Sequence, residues 1–118
     1  MCTWNSNKAF FERVLRSTKR EIPIHCFILV DRNSTDDTPQ VVRRHFPHVR
    51  ILLTDDRLAK ARQLGIKQVD TEYFVFVDDD IILPRGWFAR LWSNIDSRTG
   101  AIHAHAIPAK RLPYEEEW

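Results

Sequence analysis

Three consecutive aspartates, Asp78, Asp79 and Asp80, directly follow the apolar run at residues 73–77. Neighbouring carboxylates repel one another, so such a cluster needs a compensating partner. A hard divalent cation is one such partner, because Mg²⁺ and Mn²⁺ favour oxygen ligands and share their coordination shell with substrate phosphates. Asp78 and Asp80, which are separated by one residue, are therefore candidate ligands of Mg²⁺ or Mn²⁺. The alternative is a solvated loop whose aspartates bind nothing.

Three further side chains have chemistry that suits a nucleotide. Asp31 follows the apolar run at residues 24–30 and can accept hydrogen bonds from a base edge or a ribose. Arg62 carries a planar guanidinium that matches phosphate oxygens. Trp4 offers a ring on which a nucleobase can stack. Each also has a structural alternative: a turn-capping aspartate, a surface arginine and a packed tryptophan.

Hydrophobic periodicity predicts alternating helices and strands that would position these side chains. The predicted helices are residues 6–20, 40–46, 57–68 and 87–95, and the predicted strands are residues 24–30, 49–53, 71–77 and 100–107. Such alternation is typical of an α/β fold with a mostly parallel sheet and helices on both faces. Ligands of such sheets bind at the carboxyl ends of the strands. We therefore expect Asp31 and the three aspartates to share one edge.

Composition limits the remaining possibilities. The 118 residues suffice for one domain, residues 1–118, and the sequence predicts a solvated tail at residues 108–118. A net charge of +2 does not indicate a nucleic-acid partner, and no apolar run approaches the length of a membrane span. The two cysteines lack metal-ligand spacing, which favours free thiols in a reducing compartment. We expect a cytoplasmic protein.

Four segments, taken in order, resemble the nucleotide-binding half of a family 2 glycosyltransferase with the GT-A fold. They read CTWNSNKAFFERVLRS, ILVDRNSTDDT, AKARQLGI and EYFVFVDDDIILPRGW. The last resembles the segment that carries this family's DxD metal-binding motif. The resemblance covers residues 2–107 and implies a truncated, Rossmann-like GT-A domain. It further implies transfer of a sugar from a UDP- or GDP-sugar to an acceptor hydroxyl.

The resemblance implies a role for each matching residue. Thr3 and Trp4 would lie beside the nucleobase, with Trp4 stacking on it, and Asp31 would bind the base, uracil or guanine. The residues implied on the phosphate side are Arg62 near the nucleoside diphosphate, Asp78 near the ribose and metal, and Asp80 on the Mg²⁺ or Mn²⁺. Asp79 occupies the variable place between the two metal-side aspartates.

The sequence also departs from the family pattern. Arg32 and Asn33 replace the usual Asp-Gly, and Gln63 replaces the usual Asn. The family's general base lies in a second half of the domain, and no residue here matches it. We therefore assign no catalytic residue. The alternative to an enzyme is a non-catalytic module that binds a nucleotide or serves as a partner subunit.

A third interpretation takes VDDDIIL as the nucleophile loop of a haloacid-dehalogenase-like phosphatase, and the sequence disfavours it. That loop usually has Gly-Thr after its second aspartate and lies on the first strand, whereas in this chain Ile81 and Ile82 follow the aspartates, late in the sequence.

A shortened parallel sheet would expose apolar edges. We therefore expect a homo-oligomer that covers them.

Overall fold

The computed structural model describes residues 1–104, and residues 105–118, including the predicted tail, lie outside the described part. Its elements, in chain order, are β1 (Cys2–Thr3), α1 (Phe11–Glu21), β2 (Ile28–Asp31), α2 (Thr38–His45), β3 (Arg50–Leu53), α3 (Leu58–Ile66) and α4 (Trp87–Trp92). Within residues 1–104 no helix is both long and apolar enough to cross a bilayer.

The three strands form one parallel sheet in the order β1-β2-β3. Thr3 pairs with Asp31 across β1 and β2, and Asp31 pairs with Leu53 across β2 and β3. These three residues are the last of their strands, so the carboxyl ends lie in register along one edge of the sheet. The prediction of a parallel α/β fold is confirmed.

Helices cover both faces of the sheet. Neighbouring residues of β2 point to opposite faces, so each packs against different helices. Leu29 is fully buried in a cluster with Leu15 of α1 and Val42 of α2. Val30 faces α3, where a Cβ added at Gly65 would lie 3.2 Å from its Cγ2. The absence of a side chain at Gly65 therefore lets α3 pack closely against β2.

The predicted strand at residues 71–77 is wrong, since the structure assigns no strand there. Tyr73, Phe74 and Phe76 are instead 49%, 50% and 47% exposed. A strand requires a hydrogen-bonded partner, and residues 71–77 make no backbone hydrogen bond to β1, β2 or β3. Residues 100–104 likewise carry no strand, and the rest of the strand predicted at 100–107 lies beyond the described residues.

The first and last helices are shorter than predicted. Helix α1 begins at Phe11 instead of residue 6, because Ser6 is engaged elsewhere: its N–H donates to the Thr38 hydroxyl over 2.9 Å. Asn5, with φ of 49°, turns the chain between β1 and this segment. Helix α4 ends at Trp92, three residues before the predicted end.

Both cysteines are free thiols. Cys2 lies half-buried in β1, and this burial raises the pKa of its thiol. Cys26 is exposed in the segment before β2. The expectation of two unpaired cysteines is therefore confirmed.

Candidate functional site

The carboxyl ends of β1 and β2 are joined through the side chain of Asp31. The Thr3 hydroxyl donates to Asp31 Oδ1 over 2.7 Å. Ser34 donates twice, from its N–H to Oδ2 over 2.7 Å and from its hydroxyl to Oδ1 over 2.6 Å. Asp31 is only 1% exposed, so protein donors surround its carboxylate. Its visible role is to fix the turn after β2, where Asn33 adopts a φ of 46°.

Trp4, the residue after β1, lies at the surface of this turn. Its side chain is 61% exposed, and the Arg32 guanidinium carbon lies 5.0 Å from its ring centroid. The Arg32 N–H donates to the Thr3 carbonyl over 2.9 Å, which holds the arginine beside the tryptophan. The exposed indole therefore offers an aromatic surface on which a planar group can stack.

Ser6 connects the turn at Trp4 to the three aspartates at residues 78–80, which we call the acidic segment. Its hydroxyl accepts a hydrogen bond from the Trp4 N–H over 3.2 Å and donates to the Asp79 carboxylate. Ser6 and Asp79 are 73 residues apart in the sequence. Sequence reasoning missed Ser6, because a serine in a loop gives no local sign of so distant a partner.

Each of the three aspartates has a different environment. Asp78 Oδ1 accepts a hydrogen bond from Arg62 Nη2 over 2.6 Å. Asp79 is bound by Ser6, and Asp80 is exposed with no side-chain hydrogen bond to any of residues 1–104. The guanidinium and the hydroxyl thus compensate two of the clustered charges, and water can solvate the third.

The last turns of α1 anchor the chain that follows the aspartates. The Ser17 hydroxyl accepts a hydrogen bond from the Leu83 N–H over 3.0 Å, and Arg20 donates to the Leu83 carbonyl over 2.7 Å. Glu21 accepts from the Trp87 N–H over 3.1 Å. Burial raises the pKa of the Glu21 carboxyl, but hydrogen bonds and the Arg20 charge outweigh it, so the pKa lies below its ordinary value. This anchor fixes where the acidic segment leaves the site.

The acidic segment has the donor chemistry of a shared metal site. Among residues 1–104, no three His, Cys, Asp or Glu side chains converge on one point. Mg²⁺ and Mn²⁺ do not require three, because one or two carboxylates suffice when a diphosphate supplies further oxygens. Asp80, exposed and carboxylate-bearing, fits this requirement directly. Asp78 fits it once its bond to Arg62 is exchanged.

The structure therefore forms two groups from the predicted site residues. Thr3 contacts Asp31 on the sheet edge, and Arg62 contacts Asp78 in the acidic segment. Trp4 joins these groups indirectly, through Ser6 and Asp79.

Comparison with known proteins identifies the family. The model of the family described as "Glycosyl transferase family 2" matches residues 1–115, nearly the whole chain. Neither the search of curated proteins nor the search of solved structures gave a match. The matched range includes both strand ends and the acidic segment, and the parallel α/β architecture agrees with the fold that the resemblance implied. The chain belongs to glycosyl transferase family 2.

Proposed function

We propose that the protein binds a nucleotide-sugar, a UDP- or GDP-sugar, at the carboxyl edge of its sheet for sugar transfer to an acceptor hydroxyl. The observation that carries this proposal is the Ser6 bridge. The Ser6 hydroxyl accepts a hydrogen bond from the backbone N–H of Trp4, whose ring is exposed, and donates to Asp79, the middle residue of the three aspartates. A nucleotide-sugar needs both features, a surface for its base and a cation site for its diphosphate.

On the base side, Trp4 stacks on the nucleobase. Thr3 and Asp31 support Trp4 from beneath, since their mutual hydrogen bond fixes the strand ends from which Trp4 and Arg32 project. Asp31 reaches the base itself only if its carboxylate leaves one of the Ser34 donors. In the present arrangement its contribution is to hold the turn after β2.

On the phosphate side, Arg62 binds the diphosphate, and Asp78 and Asp80 hold Mg²⁺ or Mn²⁺. The cation, when bound, neutralises charge on the departing nucleoside diphosphate. The Asp80 side chain is exposed and can therefore reach such a cation. The hydrogen bond between Leu83 and Ser17 of α1 fixes the backbone that follows Asp80. Transfer also needs a base within hydrogen-bond reach of the acceptor hydroxyl, and we assign that role to no residue.

We also propose that the protein works in the cytoplasm. The free thiols of Cys2 and Cys26 support a reducing compartment. Mass spectrometry of the protein, alkylated at once after extraction from cell fractions, tests this: we expect both cysteines to be alkylated and the protein to be in the cytosolic fraction.

Calorimetric titration tests the donor site. UDP and GDP are each titrated into the full chain with and without Mn²⁺, and into two variants, Asp80→Ala and Asp70→Ala. Asp70 is also exposed but lies outside the acidic segment, so it controls for the loss of one surface carboxylate.

We expect Mn²⁺-dependent binding of at least one nucleotide in wild type and Asp70→Ala, and its loss in Asp80→Ala. A folded wild-type protein that binds neither nucleotide contradicts the proposed function. Binding that is unaffected by Mn²⁺ and by Asp80→Ala contradicts the metal site but leaves a nucleotide site.

A further inference from the structure

The Arg62 guanidinium contacts both the Asp78 carboxylate and the Phe76 ring. It donates from Nη2 to Asp78 Oδ1 over 2.6 Å, and its central carbon lies 5.5 Å from the Phe76 ring centroid. The side chains of Arg62 and Asp78 are 36% and 46% exposed, so a ligand in solution can reach both. The two side chains are therefore paired with each other and still accessible to a ligand.

This pair conflicts with the simultaneous use of both residues by a donor. One of the two Asp78 carboxylate oxygens, Oδ1, already accepts a hydrogen bond from the Arg62 guanidinium. A divalent metal beside the same oxygen would meet the guanidinium charge at close range. Asp78 becomes a good ligand only after Arg62 moves away.

We infer that Arg62 is a positioning residue that acts through Asp78 and makes metal capture depend on the donor. In the free protein it holds the carboxylate in the ion pair. The diphosphate of the donor offers two acceptor oxygens to the planar guanidinium, and the exchange releases Asp78 for the ribose and the metal. This inference rests on the proposed function, because it requires a nucleoside diphosphate in the site.

The energetics allow such an exchange. Partly exposed ion pairs are weak, so the bond between Arg62 and Asp78 is easily replaced by a phosphate bond. The coupling is also reciprocal: if the nucleotide raises the affinity for the metal, the metal raises the affinity for the nucleotide by the same factor. We expect removal of the Arg62 charge to tighten Mn²⁺ binding about 3–10-fold in the absence of nucleotide, within the range of typical couplings.

The experiment measures Mn²⁺ binding to the full chain by electron paramagnetic resonance of the free ion. The proteins are wild type, Arg62→Gln, Arg62→Lys and Lys60→Gln, each with and without saturating UDP or GDP. Lys60 is the matched control: it lies on the same helix, carries the same charge and approaches Asp56 at 3.7 Å instead of the acidic segment. Arg62→Lys keeps the charge but loses the planar pair of donors.

We expect Arg62→Gln to bind Mn²⁺ more tightly than wild type without nucleotide, and to gain less from adding nucleotide. Lys60→Gln should behave as wild type, and Arg62→Lys should fall between. The inference is overturned if Arg62→Gln binds Mn²⁺ alone no more tightly than wild type, or if Lys60→Gln shows the same gain. The proposed function survives that result as long as wild type binds nucleotide with Mn²⁺; if it binds none, both fall together.

Discussion

Asp31 is a carboxylate that the fold has taken almost completely out of water. Its three hydrogen bonds come from Thr3 and Ser34, and it is 1% exposed. A buried charge is tolerated only when such donors replace its hydration. The stability of the turn that carries Trp4 therefore depends on these short polar contacts.

Thr3→Val should lower the free energy of unfolding by about 1–3 kcal/mol, because it removes one donor from a buried carboxylate while keeping the side-chain shape. Urea unfolding followed by circular dichroism measures the change. Thr35→Val is the control, since Thr35 is exposed and its hydroxyl makes only a 3.3 Å contact with Asn5. Equal stability of the two variants would mean that the bond between Thr3 and Asp31 contributes nothing.

The stability of the fold should depend on pH through Asp36, in the loop before α2. Burial raises the pKa of its carboxyl, but hydrogen bonds from Thr38 and the Asn7 N–H outweigh burial and hold the pKa below its ordinary value. A lowered carboxylate pKa stabilises the fold above the ordinary value of about 4, and the effect is lost as the pH falls through the lowered pKa. Wild type should therefore be more stable than Asp36→Asn at neutral pH, and the difference should shrink below about pH 4.

Unfolding free energies from pH 7 down to pH 3 test this dependence. Asp37→Asn is the matched control, because Asp37 is the next residue, is exposed and makes no side-chain bond at the start of α2. A constant difference between wild type and Asp36→Asn across this range would contradict the assigned role.

At the level of single residues, the sequence predicted positions better than contacts. Both Asp31 and Asp78 follow an apolar run, which predicts a strand end at each; Asp31 does end β2, whereas no strand precedes Asp78. The contacts of Ser6 with Asp79, and of Ser17 with Leu83, join residues more than 60 positions apart. Such contacts depend on the packing of whole elements, which local patterns do not determine.

Among the elements, α1 does more than fill the core. Its Ser17 is 2% exposed and links the helix to Leu83, five residues after Asp78. The same hydroxyl donates to the Val14 carbonyl over 2.9 Å. The helix thereby holds the acidic segment from behind.

Ser17→Ala should lower the free energy of unfolding by about 1–3 kcal/mol, since the Leu83 N–H loses its acceptor in a buried place. It should also speed hydrogen exchange at the Leu83 amide. Ser93→Ala is the control: Ser93 makes the same kind of bond, to the Arg90 carbonyl over 2.9 Å, but is exposed and bonds no other segment. Unchanged exchange at Leu83 in Ser17→Ala would contradict the anchoring role.

The elements also show where propensity fails as a guide. Residues 71–77 are rich in aromatic and β-branched side chains, yet they form no strand. The strands within residues 1–104 are β1, β2 and β3. Pattern describes which side chains suit a sheet, but a strand exists only where a neighbour supplies backbone partners. Helix positions were predicted more reliably, because a helix satisfies its backbone internally.

For the whole molecule, the exposed aromatic residues at 73–76, together with Trp92, predict self-association. The Tyr73 ring packs edge-on against Trp92, and the Phe74 ring packs edge-on against Phe76, each with centroids 5.2 Å apart, so two exposed aromatic pairs make up this aromatic surface. Multi-angle light scattering should show a dimer or larger oligomer for wild type. Phe74→Ser should shift the distribution towards monomer, because it removes a half-exposed ring from this surface.

Leu53→Ser is the matched control. Leu53 is 64% exposed but lies at the end of β3, on the far edge of the sheet from β1. A monomeric wild type at micromolar concentration, or an equal effect of both substitutions, would contradict association through the aromatic surface.

The parallel sheet has a further consequence, for the order in which the chain folds. Thr3 contacts Asp31 across 28 residues, and Ser6 contacts Asp79 across 73, so these two contacts each close a long loop. Loop closure costs entropy before the contact returns any free energy, so such contacts form late in folding. The turn at Trp4 and the three aspartates therefore come together only in the complete fold. A nucleotide-sugar that binds there, as proposed, would stabilise the completely folded chain.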